Sequence, residues 1–392
     1  MNIKQFKMGF GECFMLCNDD ECLLIDCGSE SDNKDIYFGY VSSELKMYKT
    51  CSAMISHFHE DHMNGFRSLL TSFLHKFEQV YIPHIFTTGQ HNNQVDYLIM
   101  QYLLEQTPYV RSRTYHLWDL LTDLVTTEQH ICLLERGKPF QEVNTDCETL
   151  WPIPQEIIND KLCNIKCSEL SFLSQFVPQI NKLSEELSNC FLSIADPISD
   201  DLDWSSIRQR CQDFSDHLES LKKSFAEAKK ATQAESRKQE ICKKIRECYV
   251  KLDKNCTSIV FHTNTLNKPV LFTGDVTRSI MAKIARNEPV PSAPIRSHYY
   301  AIKVPHHGTY TDHYFNFGPY ASYDYLMISN GETNNPTKRG KISAQYLLKN
   351  KNYCVCCTND DDKRCDATYP SIFQRCNNCI CNGNPPRRII TI

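Results

Sequence analysis

The glycines of this 392-residue chain are unevenly distributed, and their distribution constrains the fold more than any other feature. Seven of the 13 lie at or before Gly137, the next is Gly274, and five more follow it. Tight turns commonly use glycine, so the span from 138 to 273 cannot contain many β-hairpins. A glycine-free span of this length is typical of helices.

Apolar residues in this span recur every three or four positions, which places them on one face of a helix. They are Ile207, Cys211, Phe214, Leu218, Leu221 and Phe225. We therefore predict a helical insertion over 155–250, folded as a hairpin with a coiled-coil-like seam. Lysines such as Lys222, Lys229 and Lys243 occupy the other faces. They form a solvated helix face, a surface that binds a polyanion, or a docking surface.

The two flanks of the insertion have a different pattern. Short apolar runs separated by turn residues predict strands, and stretches with helical spacing lie between them. Strands that alternate with helices are typical of an α/β fold in which helices cover the sheets. We predict that residues 1–154 and 251–392 are the two halves of one α/β domain.

The composition excludes several classes of protein. No apolar stretch approaches the roughly 18 to 20 residues of a membrane helix, and the first residues lack the apolar region of a secretory signal. A net charge of −4 argues against a generally basic nucleic-acid-coating protein. The 21 cysteines therefore suggest reduced, buried or metal-bound thiols in a cytoplasmic protein with no membrane association.

The segment Ser56–Gly65 carries the strongest chemical signal in the sequence. It contains three histidines and two carboxylates between positions 57 and 62, directly after an apolar strand and directly before a helix. His57 and His59 point to the same side of an extended chain, so both can bind one metal ion. Asp61 and His62 begin the next turn and can reach a second ion. Imidazole and carboxylate ligands suit zinc, with manganese as the alternative.

Two later segments can complete this site. Asp275 follows an apolar strand, and His306 and His307 follow another. A carboxylate that bridges two metal ions is a common device in two-metal hydrolysis. The three segments together, in this order, predict a site for two divalent metal ions.

With these motifs the sequence resembles the metallo-β-lactamase-fold hydrolases, whose signature is His-x-His-x-Asp-His followed by a bridging Asp and a terminal His. It is more closely similar to the hydrolase domain attached to bacterial competence (DNA-uptake) channel proteins and to free-standing relatives of that domain. The resemblance covers roughly residues 1–154 and 251–392, and omits the insertion and the cysteine-rich loop at 354–386. The supporting segments are 9–12, 24–28, 150–152, 255–260, 271–275, 303–308 and 328–331.

The resemblance implies a four-layer αββα sandwich with the metal ions at one edge of the paired sheets. It also implies a set of metal ligands, which are His57, His59, Asp61, His62, Asp275 and His306. His306 is preferred over His307 because it comes first after the strand. His307 is then predicted to be catalytic, by contacting the substrate or donating a proton to the leaving group. Asp61 is predicted to orient the nucleophile, a metal-activated hydroxide.

The sequence departs from the family pattern at two positions. Many relatives supply another histidine to the first metal at a position where this chain has Asn255. The first metal site is then completed by water, Asn255, His84 or His130, or it binds its metal weakly. Where relatives often have His-Pro, this chain has Asn335-Pro336. We predict that Asn255 and Asn335 bind substrate.

Seven cysteines cluster between Cys354 and Cys381, in a polar loop over 354–386. A Cys-x-x-Cys after an earlier cysteine cluster is the spacing of a structural zinc site. We predict an additional structural zinc held by Cys357, Cys365, Cys376 and Cys379. The alternative is a loop of reduced, unliganded thiols.

The sequence thus predicts a metal-dependent hydrolase. The resemblance favours phosphodiesters, which makes the chain a phosphodiesterase or a nuclease with a nucleic-acid substrate. One alternative is a hydrolase of small acyl or lactone substrates. Another is an effector controlled by a protein partner, for example in bacterial defence, that docks through the helical insertion.

Overall fold

The computed structural model describes residues 1–72, 77–84, 103, 115–153, 203–231, 235–251, 254–265, 267–288, 294–309, 313–331, 354–358 and 387–391. Two compact units are present. The first comprises Met1–Pro83, Leu133–Pro152 and Lys254–Ile392. The second comprises His84–Cys132 and Ile153–Asp253. The sequence-based boundaries at 154/155 and 250/251 stay a prediction.

The first sheet has seven strands in the order β14-β1-β2-β3-β4-β5-β6. Short, largely buried apolar segments form it, as expected for strands that pack against other layers. The strands are β1 (Asn2–Phe6), β2 (Phe14–Cys17), β3 (Glu21–Ile25), β4 (Thr50–Met54), β5 (Val80–Pro83), β6 (Ile131–Leu134) and β14 (Arg387–Thr391).

The second sheet also has seven strands, in the order β13-β12-β11-β10-β9-β8-β7. They are β7 (Pro139–Glu142), β8 (Thr145–Trp151), β9 (Val260–Thr263), β10 (Val270–Phe272), β11 (His298–Lys303), β12 (Ser322–Ile328) and β13 (Cys354–Cys357). The hairpin between β7 and β8 turns at Val143 and Asn144, which both have positive φ (55° and 56°). Asparagine tolerates this conformation, but valine rarely adopts it, so local sequence preferences do not predict this turn.

Helices flank the sheets in the first unit and form much of the described second unit. Each of the longer ones buries one apolar side, as Phe38, Val41 and Leu45 do in the first helix. The helices are α1 (Lys34–Leu45), α2 (Glu60–Met63), α3 (Phe66–Ser72), α4 (Leu117–Thr126), α5 (Trp204–Ala231), α6 (Glu235–Lys251) and α7 (Arg278–Ala285).

The core of the first unit lies between the two sheets. Phe14 of the first sheet meets Phe272 of the second edge to face, with ring centroids 5.8 Å apart. Phe272 also stacks on Phe261, at 4.9 Å. Two sheets that share a core, with helices outside them, make up the four-layer α/β sandwich that the sequence predicted, and the prediction of the fold class is confirmed.

Parallel pairing determines where the polar loops meet. β3 pairs in parallel with β4, and β10 pairs in parallel with β11. The carboxyl ends of parallel neighbours lie at the same edge of a sheet, where ligand sites are commonly built. Asp26 follows β3, the histidine segment follows β4, Asp275 follows β10, and His306 and His307 follow β11.

The second unit contains the helix that the periodicity predicted. In α5 the buried side chains are those of the predicted apolar face, Ile207, Cys211, Phe214, Leu218, Leu221 and Phe225. Trp118 of α4 packs on Phe214 with ring centroids 3.8 Å apart. Of the predicted insertion, residues 155–202 lie outside the described part of the chain, so the predicted hairpin and coiled-coil seam stay a prediction. Within the described residues, no helix combines the length and apolar character needed to cross a bilayer.

Candidate metal centre

Three loops pack against one another at the edge of the first unit and form the base of the site. Glu12 N donates to Gly28 O and to Asp61 O, and Cys27 N donates to His62 O at 2.8 Å. A Cβ atom on Gly11 would lie 2.1 Å from Gly28 O, and one on Gly28 would lie 2.2 Å from the carbonyl carbon of Asp61. Only glycine allows these backbones to approach so closely, and this approach brings Glu12 to the histidine segment.

Four side chains converge behind this base. His307 Nε2 lies 3.1 Å from Asp61 Oδ2, 3.3 Å from His62 Nε2 and 3.5 Å from Asp275 Oδ2. His62 Nε2 lies 3.2 Å from Asp275 Oδ2. A tetrahedral ion with bonds of roughly 2.0–2.1 Å holds its ligand atoms about 3.3 Å apart. These four contacts have about that spacing, so the donors around His307 fit the ligands of a metal ion.

The hydrogen bonds behind the two imidazoles orient their lone pairs. His62 Nδ1 lies 2.8 Å from Asp26 Oδ2, and His307 Nδ1 lies 2.9 Å from Ser329 O. Both partners are acceptors, so each Nδ1 carries the proton and each Nε2 presents its lone pair to the cluster. Outer hydrogen bonds of this kind fix the tautomer of a metal-binding histidine.

The electrostatics of the cluster require positive charge. Burial lowers the pKa of His62, but Asp275 and Asp26 outweigh it and raise this pKa well above its ordinary value. Burial also lowers the pKa of His307, but Asp275 and Asp61 outweigh burial and raise this pKa. Burial raises the pKa of Asp275, but His62 and Lys303 bring it well below its usual range. A cation at the centre of these acceptors can replace the protons that these shifts favour.

His57 and His59 form a second pair beside this cluster. His57 Nε2 lies 2.8 Å from His59 Nδ1 and 4.0 Å from Asp275 Oδ2. Burial and the neighbouring His62 keep the pKa of His57 well below 6.5, so this imidazole is neutral and able to bind a metal. Asp275 thus lies next to both histidine groups, and its predicted role as a bridging carboxylate stays a prediction.

Glu12 and Lys303 are two further members of the site. The fully buried ammonium of Lys303 contacts Asp275 Oδ1 at 3.1 Å and Glu12 Oε1 at 2.7 Å. The other oxygen of Glu12 is buried, has no hydrogen-bond partner and lies 3.7 Å from His307 Nδ1. Glu12, His62, Asp275 and His307 present ligand atoms within 4.8 Å of one another, so these four residues could hold a metal ion.

The two adjacent histidines occupy different positions. The His307 side chain is fully buried in the cluster, whereas that of His306 is 27% exposed and its Nε2 lies 4.0 Å from Asp275 Oδ2. His306 Nδ1 contacts Thr309 Oγ1 at 2.5 Å, and its ring stacks on His313. Both histidines have positive φ, 49° and 55°, and such backbone strain in non-glycine residues is common at functional sites.

The remaining predicted site residues belong to other elements or lie outside the described residues. Asn255 is buried in the 3₁₀ helix Lys254–Thr257. This helix is followed closely by Ile259, whose N–H donates to Ser56 O at 2.7 Å and so ties this segment to the histidine segment. His84 and His130 belong to the second unit. Cys357 ends β13. The predicted residues outside the described part are Asn335, Cys365, Cys376 and Cys379.

Glu12, Lys303 and Asp26 lie in segments that carry the family resemblance, but the sequence assigned no role to them. Asp26 follows β3, Lys303 ends β11 and Glu12 lies just before β2, so a position next to a strand end was the available signal. Glu12 comes directly after a Gly-x-Gly turn, and Asp26 comes before Gly28. Lys303 gave a misleading signal, because a lysine at a strand end normally reaches solvent.

Two of the solved structures that are similar to this chain have 10% and 8% identity to it. No family model matches the chain, and no curated protein matches it. Among solved structures, it is similar to the metallo-beta-lactamase fold protein YhfI from Bacillus subtilis, with 10% identity over 83% of this chain and 85% of that chain and a TM-score of 0.32. It is also similar to a protein of unknown function from Enterococcus faecalis V583. That match covers 79% of this chain and 51% of the other chain, with 8% identity and a TM-score of 0.30. Because both TM-scores are low, neither likeness says what this chain does.

Proposed function

We propose that this chain is a metal-dependent hydrolase that prefers phosphodiester substrates. The observation that carries the proposal is the convergence of Asp61, His62 and Asp275 on His307, at donor-atom distances of 3.1 to 3.5 Å, which are close to the spacing of ligands on one metal ion. Buried acceptors in such an arrangement repel one another unless a cation compensates them. A structural role alone gives no reason to collect them at a sheet edge.

The spacing favours His307, and not the preferred His306, as the terminal metal ligand. In this assignment Asp61, His62 and His307 bind one ion, His57 and His59 bind the other, and Asp275 faces both. Bound divalent ions supply an acidified water and neutralise charge that develops on the substrate. Zinc suits the imidazole-rich donor set, and manganese remains the alternative.

The assignment leaves His306 to act on the substrate. Its ring lies at the exposed side of the cluster, and Thr309 and His313 orient it. An imidazole in this position can donate a proton to the leaving oxygen, as a general acid. Asp61, through its second oxygen, can orient the attacking group. Asn255 and Asn335 are proposed to bind substrate by amide donation.

The preference for phosphodiesters has a different basis from the metal chemistry. It rests on the resemblance of the motifs to the competence-type hydrolases and on the lysines of α5 and α6. Several of these lysines face carboxylates, as Lys222 faces Glu219 at 2.9 Å and Lys243 faces Glu247 at 3.8 Å. These pairs reduce the positive charge available to a polyanion, so small acyl or lactone substrates remain the second candidate.

The test compares the purified chain with an Asp61→Ala/His62→Ala variant and with a His298→Ala control, whose histidine side chain is 45% exposed. We expect two metal ions per chain, and metal-dependent hydrolysis of bis(p-nitrophenyl) phosphate and of single- or double-stranded DNA. The double variant should lose both properties, and the control should keep them. A chain without bound metal contradicts the proposal. If the chain hydrolyses only p-nitrophenyl acetate, the acyl alternative is selected. A third metal ion per chain would support the predicted structural zinc site of the cysteines.

A protein partner acting through the insertion is a separate proposal. It is supported by α5 and α6, whose charged side chains are largely exposed, while their apolar faces are buried. A chain that lacks 155–250 should still hydrolyse small substrates but no longer form the complex. Loss of small-substrate turnover would count against a docking role.

A further inference from the structure

A row of three thiols crosses the first sheet, at the opposite end of the strands from the metal centre. Cys17 on β2 is the register partner of Cys22 on β3, and Cys22 is the register partner of Cys51 on β4. Directly opposed residues on neighbouring strands point to the same face of a sheet, so the three side chains form one row. All three are buried, at 5% exposure or less.

Two of these thiols are in direct contact. Cys22 Sγ donates to Cys51 Sγ across 3.3 Å, and both thiols are free. Cys51 Sγ also lies 3.6 Å from Leu45 O. Buried cysteines usually act as small apolar side chains. Packing requires only that they fill space, whereas a sulfur–sulfur contact between register partners also places the two atoms for reaction with each other.

The environment of the pair favours reaction at Cys51. The hydrogen bond from Cys22 lowers the pKa of Cys51, while that bond and burial raise the pKa of Cys22. The thiolate is the nucleophilic form of cysteine, so the two thiols have different roles. The pair is therefore arranged as an attacking thiolate with a neighbouring thiol that can resolve its product.

Exposed residues and a cavity flank this row. Cys22 and Cys51 are the second residues of their strands, and the preceding Asp20 and Lys49 form an exposed ion pair at 2.7 Å. A cavity of about 690 Å³, lined in part by Cys17, Lys4 and Tyr48, reaches the other end of the row.

We propose that Cys22 and Cys51 form a reversible oxidation site for hydroperoxides. The Cys51 thiolate attacks the peroxide oxygen, the O–O bond breaks, and hydroxide leaves, which produces a sulfenic acid. The Cys22 sulfur then attacks the Cys51 sulfur, the S–O bond breaks, and water is released with the proton of Cys22. In total, two thiols and one hydrogen peroxide give one disulfide and two waters.

The test treats the reduced full-length chain with hydrogen peroxide and maps its cysteines by mass spectrometry without reduction. Trypsin leaves Cys51 as the sole cysteine of 50–67, and cleavage before Asp20 and Asp26 isolates Cys22. We expect a peptide pair linked through these two cysteines, which a dithiol reductant separates. Cys51 should react at least about ten times faster than the buried Cys147, which serves as the internal control.

Two variants separate the roles of the thiols. In Cys22→Ala, Cys51 should accumulate a sulfenic acid that a dimedone probe traps, and no disulfide should form. In Cys51→Ala, oxidation of Cys22 should fall to the rate of Cys147. The proposal is overturned if Cys51 in the wild-type chain reacts no faster than Cys147, or if the disulfide joins Cys17 to Cys22. The wild-type result stands even if a variant fails to fold.

Discussion

The candidate metal centre and the buried apolar face of α5, called the seam below, are both removed from water, but for opposite reasons. The seam contains Leu218, Leu221 and Phe225, each with at most 1% exposure, and removing such side chains from water contributes roughly 1.5–3 kcal/mol apiece. The centre buries His62 and Asp275 equally well, although burial of charged groups is unfavourable unless they are compensated. The seam therefore stabilises its helix, whereas the surrounding fold must stabilise the centre.

This difference predicts different responses to substitution. A change in the seam should alter stability and leave metal binding intact, because the residues of the centre belong to the first unit. A change in the centre should alter metal binding first. A change in the residues that support the centre should alter both.

The largest effect is expected at His307. Because its Nε2 lies within 3.5 Å of Asp61, His62 and Asp275, His307→Ala should lower the metal content by about one ion per chain and activity by more than about 100-fold. His306→Ala is the matched control and should keep the metal while losing turnover. Metal analysis beside kinetics distinguishes the two. If His306→Ala lost the metal and His307→Ala kept it, the assignment of the two histidines would be reversed.

The next largest effect concerns the buried ion pairs of Lys303. Lys303→Met leaves two buried carboxylates, Glu12 and Asp275, without their cation, and we expect the metal-free protein to lose about 3–5 kcal/mol of unfolding free energy. Adding Glu12→Gln should restore part of this loss, because it removes one of the two charges. Urea denaturation measures both effects.

The control for Lys303 is the exposed ion pair of Lys49 with Asp20, whose side chains are 78% and 59% exposed. Lys49→Met should leave the urea midpoint unchanged, since water and salt screen such pairs. Equal effects of Lys49→Met and Lys303→Met would show that burial does not set the energy of the Lys303 network.

In the seam, Leu221→Ala should cost about 2–5 kcal/mol because it opens a cavity among buried side chains. Glu219→Ala, two positions earlier on the same helix and 58% exposed, should stay within about 0.5 kcal/mol. Thermal unfolding and metal analysis are measured together for both variants. Loss of metal in Leu221→Ala would contradict the separation between seam and centre.

A buried histidine outside both regions gives the smallest effect. Burial, with a contribution from Arg296, lowers the pKa of His262 to about 4, and its Nδ1 lies 2.9 Å from the Tyr299 hydroxyl. Between that value and 6.5 the unfolded chain binds more protons than the folded one, so stability falls as the pH falls through this window. The loss from pH 7 to pH 5 should be about 2 kcal/mol.

Replacing His262 with glutamine should remove this component of the acid sensitivity, and denaturation at pH 7 and pH 5 measures it. His298→Gln, at an exposed histidine, is the control and should retain the full dependence. An unchanged pH dependence in His262→Gln would mean that this histidine is not buried in its neutral form.

Local patterns predicted one part of the fold well and another part poorly. The apolar face of α5 follows the helical period, so all six predicted residues are the buried ones. Helix α1 gave no such signal, because Ile36 and Tyr40 are apolar yet at least 47% exposed, which hides the period. The β7–β8 hairpin was missed because its turn residue Val143 adopts a conformation that valine rarely takes.

The sequence alone determined the kind of donors at the metal centre and their order along the chain. It did so because the residue type decides which groups can bind a metal, and the spacing along the chain shows which strand ends they follow. The tertiary structure decided which donors meet. The order of the strands brings Glu12, Asp61, Asp275 and His307 together from four segments, and a left-handed backbone at His306 and His307 sends one ring into the cluster and the other to its exposed side. Contacts of this kind depend on chain segments far apart in sequence, and local patterns do not encode them.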